Sequence, residues 1–240
     1  MLRRGSWSSV SDELSLALST ELERPSVTDA LPSAFNKARF IQNTVALVAG
    51  NPELSRMPQA KLVPVLLKGA YLGLDFFNGE CYAVPYGQQL QFTPSYKGMV
   101  KLAKLYSKRP LVDVYAHVVR DGDEFESGME DGHEYVRYKP KTFNDGAIIG
   151  AFAVAQFEDG GIKVEVMNKA QLDSVKRMSK AQSGNAWKFF ADQMYQKSVI
   201  RRLCKTIDLD MENVEQSRIM QAEDVQEVEV SEVDNPFADQ

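Results

Sequence analysis

YKGMVKLAKLYSKRPLVDVYAHVVR, running from Tyr96 to Arg120, contains two different elements back to back. Lys97, Lys101, Lys104 and Lys108 are spaced four, three and four residues apart. At about 100° per residue they fall on one stripe of a helix. Tyr96, Met99, Val100, Ala103 and Tyr106 occupy the remaining surface and can face a core. Pro110 stops the helix, because the residue before a proline is pushed out of the helical region. Leu111–Arg120 then reads as a strand rich in β-branched residues.

The same change of character divides the chain as a whole. Phe35, Ala38, Ile41, Val45 and Val48 have helical spacing and end at Pro52. Leu62, Val65, Leu66, Ala70 and Leu72 define a second helix over about 59–72, with Pro64 leaving its start at either Gln59 or Val63. Cys81–Pro85 and Gln89–Thr93 flank a turn at Tyr86-Gly87-Gln88 and read as a β-hairpin. After the basic helix come strands at 111–120, 134–139, 147–157 and 162–167, separated by Asp/Gly-rich turns, the spacing of an antiparallel meander. A helix over 168–180 with Asn168 as its N-cap, and a longer one over about 186–205, complete the pattern. The expected fold is α+β: N-terminal helices, a β-hairpin and an antiparallel sheet flanked by helices. Residues 1–33 form an N-terminal arm, 34–205 the core, and 206–240 an acidic, disordered tail.

Charge sharpens this division. The 240 residues carry 28 Lys+Arg against 33 Asp+Glu, a formal net charge of −5. Eleven of the acids lie in 206–240 beside a single base, Arg218, so the tail is −10 and residues 1–205 are +5. A basic body with an acidic tail marks a polyanion-binding surface or an interaction tail. Within the body the excess sits on two elements. Residues 96–112 contain five bases, the four lysines and Arg109, and no acid. Residues 163–205 contain ten bases against Glu165, Asp173 and Asp192. In this second element Lys197 and Arg201 share a helical face, and Lys180 and Lys188 flank a loop containing Gly184. Either element could be an ordinary solvated face, but closely spaced cations without counter-charges repel one another and a polyanion relieves that repulsion. Tyr86, Phe92, Tyr96 and Trp187 interleave with the cations as candidates for stacking on bases, the alternative being that they fill the core; core is the better reading for Trp187 and for Phe190, which shares its face.

Several function classes lack their residues. There is no Walker A loop and no dinucleotide-binding glycine pattern. Two histidines and two cysteines give no expected metal site, cofactor or disulfide framework, and suit a cytoplasmic protein. No apolar run is long enough for a membrane span. Asp121, Asp123, Glu124 and Glu126 could serve a metal-dependent nuclease, although the calcium-loop pattern fails at Glu126 and Gly132.

The stretches Leu72-Gly73-Leu74, Cys81–Phe92, Ser95–Met99, Val118–Phe125 and Phe157–Met167, then Trp187, Met194 and Lys197–Leu203, occur in this order over about 35–210. In them the chain resembles the RecT family of phage and prophage single-strand annealing recombinases. The resemblance implies a non-enzymatic, ATP-independent protein that binds single-stranded DNA and holds the annealed duplex. It implies assembly into rings or helical filaments and work beside a 5′–3′ exonuclease. Family positions carried over are Lys97, Lys197 and Arg201, with Arg202 and Trp187; Lys101, Lys104, Lys108, Arg109, Lys180 and Lys188 come from charge geometry. A passive single-strand-binding scaffold is the main competing reading. The acidic tail is a solubilising end, competes with DNA for the basic groove, or docks a host replication protein through Pro236-Phe237.

Overall fold

The computed structural model describes residues 5–86, 89–179 and 182–222. They form two compact units, one from residues up to Gly98 together with the chain from Met211, the other from Met99–Asp210. The core expected over 34–205 therefore divides at Gly98, inside the basic helix.

The first unit begins with α1 (Gly5–Leu22), α2 (Pro25–Thr28), α3 (Lys37–Gly50) and α4 (Gln59–Tyr71). Of the two readings open for the N-terminal arm, a short helix or a mobile segment, the helix is the one present. Leu14, Leu18 and Leu22 recur every four residues and are fully buried as α1 packs on α3 and α4. Leu16, off that face, is exposed. α4 starts at Gln59, with Pro64 inside it. The hairpin forms as expected from β1 (Cys81–Tyr86) and β2 (Gln89–Pro94), in antiparallel register from Cys81↔Pro94 to Tyr86↔Gln89.

α5 (Tyr96–Tyr106) leaves this unit through a tightly specified corner. Ser95 Oγ accepts from the N–H groups of Lys97 and Gly98 and donates to the Gly79 carbonyl, so one hydroxyl caps the helix and ties it to the loop before β1. A Cβ on Gly98 would lie 2.1 Å from the Glu80 carbonyl oxygen, so only glycine lets the helix approach so closely.

The second unit is built on β3 (Leu111–Arg120), β6 (Ile148–Phe157) and β7 (Ile162–Asn168), an antiparallel sheet in the order β3-β6-β7. It is not a simple meander. β4 (Glu124–Glu130) and β5 (His133–Lys139) form a separate hairpin inserted between β3 and β6. β4 was not expected, since Glu124, Glu126, Gly128 and Glu130 are poor strand formers. Pairing supplies what propensity lacks: Lys139 bonds Glu124, and Tyr135 and Arg137 bond Glu126.

β6 is buried on both faces. Phe152 and Val154 meet Phe125, Val136 and Tyr138 of the hairpin. Ala151, Ala153 and Ala155 alternate with them and face the other way. Small side chains there let α8 (Ala191–Lys205) lie close across the sheet, with Tyr195, Val199, Ile200, Leu203 and Cys204 inward. α6 (Lys169–Met178) begins at the expected N-cap, where Asn168 and Gln171 complete a capping box.

The last helix differs from expectation. It breaks into α7 (Asn185–Phe189) and α8 at Phe190, whose φ of −133° and ψ of 39° are not helical. The acidic segment also differs. Residues 206–222 remain packed, with Ile207 and Ile219 buried. A helical segment over 214–222 returns to the first unit, where Gln216 donates to the Tyr71 carbonyl and Asn213 to that of Ala30. The rest of the expected tail, including Pro236-Phe237, lies outside the described residues.

Candidate nucleic-acid interface

In the first unit, Lys97 is exposed on the first turn of α5 beside half-buried Tyr96. Phe92 is a core residue, with its ring edge-on to Phe76 at 6.1 Å. It has no open face for a base. Tyr86 pairs with Gln89 at the end of the hairpin.

In the second unit, the two basic elements meet at their C-terminal ends. The Asp210 N–H donates to the Tyr106 carbonyl, the Lys108 N–H donates to the Asp208 carbonyl at 3.1 Å, and Ser107 bridges Leu209. This short antiparallel pairing holds the exit of α5 against the chain leaving α8. A cleft of about 200 Å³ opens beside it, with cationic side chains from both elements: Lys108 and Arg109 from the first, Lys163 from the second. Lys163 Nζ donates to the Thr206 carbonyl at the end of α8, satisfying a carbonyl the helix leaves open. Phe157 and Asp208 also line the cleft.

Arg109 is held in place. It pairs in fork geometry with Asp159 at 2.8–3.1 Å and stacks over the Phe157 ring at 4.1 Å. The Gly161 N–H and then the Arg109 guanidinium keep the Asp159 carboxyl below the usual carboxylate range. Lys104 pairs with Asp113 at 3.2 Å, and Arg202 with Glu165 at 2.8 Å. The Arg109–Asp159 and Lys104–Asp113 pairs are open to solvent on both sides and therefore weakly held, so a phosphate can share or displace the carboxylate, whereas Glu165 is largely covered. Lys101 is half-buried on α5, and Lys197 and Arg201 are half-buried one turn apart on α8. Lys188 is exposed on α7, while Lys180 lies outside the described residues.

Trp187, at 3% exposure, is structural. Its Nε1 donates to Ser179 Oγ, its ring meets Tyr195 edge-on at 5.5 Å, and Lys176 Nζ lies 5.9 Å from its centroid. Tyr195 in turn donates to Asp173, which also bonds Lys169, so Trp187 closes a network joining α6, α7 and α8. The hydrogen bond from Lys169 holds the Asp173 carboxyl low. Both cysteines are buried thiols, and burial pushes Cys204 up to about 12, out of range for thiolate chemistry.

The acidic turn is a loop lock rather than a gathering of open carboxylates. Asp123 accepts from the N–H groups of Arg120 and Lys141, the Asn144 amide and the Tyr138 hydroxyl. Partial burial pushes its pKa up, but those four hydrogen bonds outweigh it and hold the carboxyl at about 2. Glu124 and Glu126 face partners on β5. Among the described residues no three His, Cys, Asp or Glu side chains are grouped to hold a metal ion.

The arrangement is that of cation-rich helices on an α+β scaffold, with Asp113, Asp159, Glu165 and Asp173 each paired to a neighbouring cation. Its particular class follows from its relatives. The chain belongs to the RecT family, whose model matches residues 38–236. It is similar to Protein RecT of Escherichia coli (strain K12), 29% identical over 195 residues that cover 76% of this chain and 71% of that protein. Membership ties the chain to DNA binding, single-strand annealing and recombination. Among the described residues no helix is long and apolar enough to cross a membrane.

Proposed function

We propose that this chain anneals complementary DNA strands without ATP, as an oligomer on the strand, in the cytoplasm of a bacterial cell. The observation that carries the reading is the pairing of the exit of α5 at Tyr106–Lys108 with Asp208–Asp210, just beyond α8, which brings together the ends of two basic helices. Lys97, Lys101, Lys104, Lys108 and Arg109 supply one row of phosphate contacts; Lys180, Lys188, Lys197, Arg201 and Arg202 supply the other. Neutralised phosphates let two like-charged strands approach, and base pairing between the strands supplies sequence specificity. Assembly into a ring or filament multiplies weak contacts per subunit. The protein itself makes and breaks no covalent bond. A 5′–3′ exonuclease supplies the exposed strand, and residues 223–240 offer an acidic segment to the groove or to a host replication protein.

A fluorescence assay on complementary oligonucleotides without nucleotide tests this. The annealing reading predicts pairing faster than in protein-free buffer. Binding without acceleration would instead identify a passive single-strand scaffold. Electron microscopy with oligonucleotide should show rings or filaments.

A further inference from the structure

The break between α7 and α8 displays two adjacent phenylalanines. Phe189 is 63% exposed and Phe190 53%. Helical spacing would have put Phe190 on the buried face with Trp187, but its non-helical backbone turns it out. Its backbone is nevertheless hydrogen-bonded on both sides. The Phe190 N–H donates to the Ala186 carbonyl, and its carbonyl accepts from the Met194 N–H at 3.0 Å. Just before the pair, Trp187 is anchored by Ser179 and Tyr195.

A cation lies on this apolar surface, within a base-rich stretch of the chain. Lys188 Nζ lies 5.1 Å from the Phe189 centroid. The segment 163–205 carries ten bases against three acids, one of which, Asp192, follows on the first turn of α8. The occupant must therefore be polyanionic and also present flat apolar faces. Single-stranded nucleic acid does both, whereas duplex DNA hides its base faces in the stack. We propose that Phe189 and Phe190 are the base-contact surface for the first strand, with Lys188 on the neighbouring phosphate. The proposal rests on the strand-annealing reading and adds to it. Pairing restacks the bases, so the phenylalanine contact is lost as duplex forms, while phosphate contacts persist. The pair thus discriminates single strand from product.

Fluorescence anisotropy tests this with three probes of equal length: a thymine oligonucleotide, an abasic strand and a duplex. Phe189→Ala/Phe190→Ala should weaken thymine-strand binding roughly tenfold to a hundredfold, the range of one to two lost stacking contacts. Its affinities for the abasic strand and the duplex should match the unsubstituted protein. Phe189→Tyr/Phe190→Tyr, which keeps both rings, should restore thymine-strand binding. Equal loss on all three probes, or no rescue by tyrosine, would overturn the proposal. Equal affinity of the unsubstituted protein for thymine and abasic strands would overturn this proposal alone. Failure to bind any probe would overturn the strand-annealing reading with it.

Discussion

The acidic turn at Asp121–Glu126 and the basic elements around α5 and α8 use charge in opposite ways. In the turn, Asp123 has four donors and each flanking glutamate has a cross-strand partner. In residues 163–205, by contrast, cations outnumber carboxylates by ten to three. Carboxylates bonded within their own chain, as Asp123, Glu124 and Glu126 are, hold structure together, whereas an excess of one charge attracts a ligand of the other. Sequence composition marks both clusters alike; the balance of charge separates them.

The comparison breaks most readily at Asp123. Asp123→Ala removes the acceptor of four hydrogen bonds and leaves the Arg120 and Lys141 N–H groups without that partner. It should lower unfolding stability by about 3 kcal/mol, read by urea denaturation, while DNA affinity per folded molecule stays unchanged. A comparable loss of DNA affinity would show that the turn belongs to the binding surface.

Acid should reveal the same residue in the unsubstituted protein. Its folded pKa of about 2 lies below the ordinary carboxylate value of 3.8. The associated stability is fully present above that ordinary value and lost as pH falls through the folded pKa. Denaturation midpoints should decline between about pH 4 and pH 2, and Asp123→Asn should flatten that part of the profile.

A smaller effect is expected at Phe143, in the loop that Asp123 locks. It is 96% exposed and has φ of 55°, a left-handed conformation unfavourable for a bulky residue. Phe143→Gly should leave stability unchanged or raise it by up to about 1 kcal/mol in thermal unfolding. Marked destabilisation would mean that the exposed ring has packing the structure does not show.

Much of this scaffold was legible in local sequence. The Asn168 cap, the β1–β2 hairpin and the lysine stripe of α5 each follow from residues a few positions apart. β4 was not legible, because its glutamates become strand residues only opposite Lys139, Tyr135 and Arg137. Nor was the packing of 206–222, where Gln216 finds its acceptor at Tyr71, far away along the chain. The site divides similarly. Cation excess identified the basic elements, but periodicity extended one helix through Phe190 and so assigned that ring to the core. The only local hint was two consecutive phenylalanines beside Lys188, which no single helical face can bury together.

The central claim is that α8 grips the strand backbone through Lys197 and Arg201. Its most direct test is the salt dependence of oligonucleotide binding by Lys197→Ala/Arg201→Ala, with folding verified by circular dichroism. Two lost phosphate contacts should reduce the log–log salt slope by roughly 1.4 to 2, weaken affinity about tenfold or more at low salt, and slow annealing in parallel. An unchanged slope with unchanged annealing in the folded double variant would contradict the account.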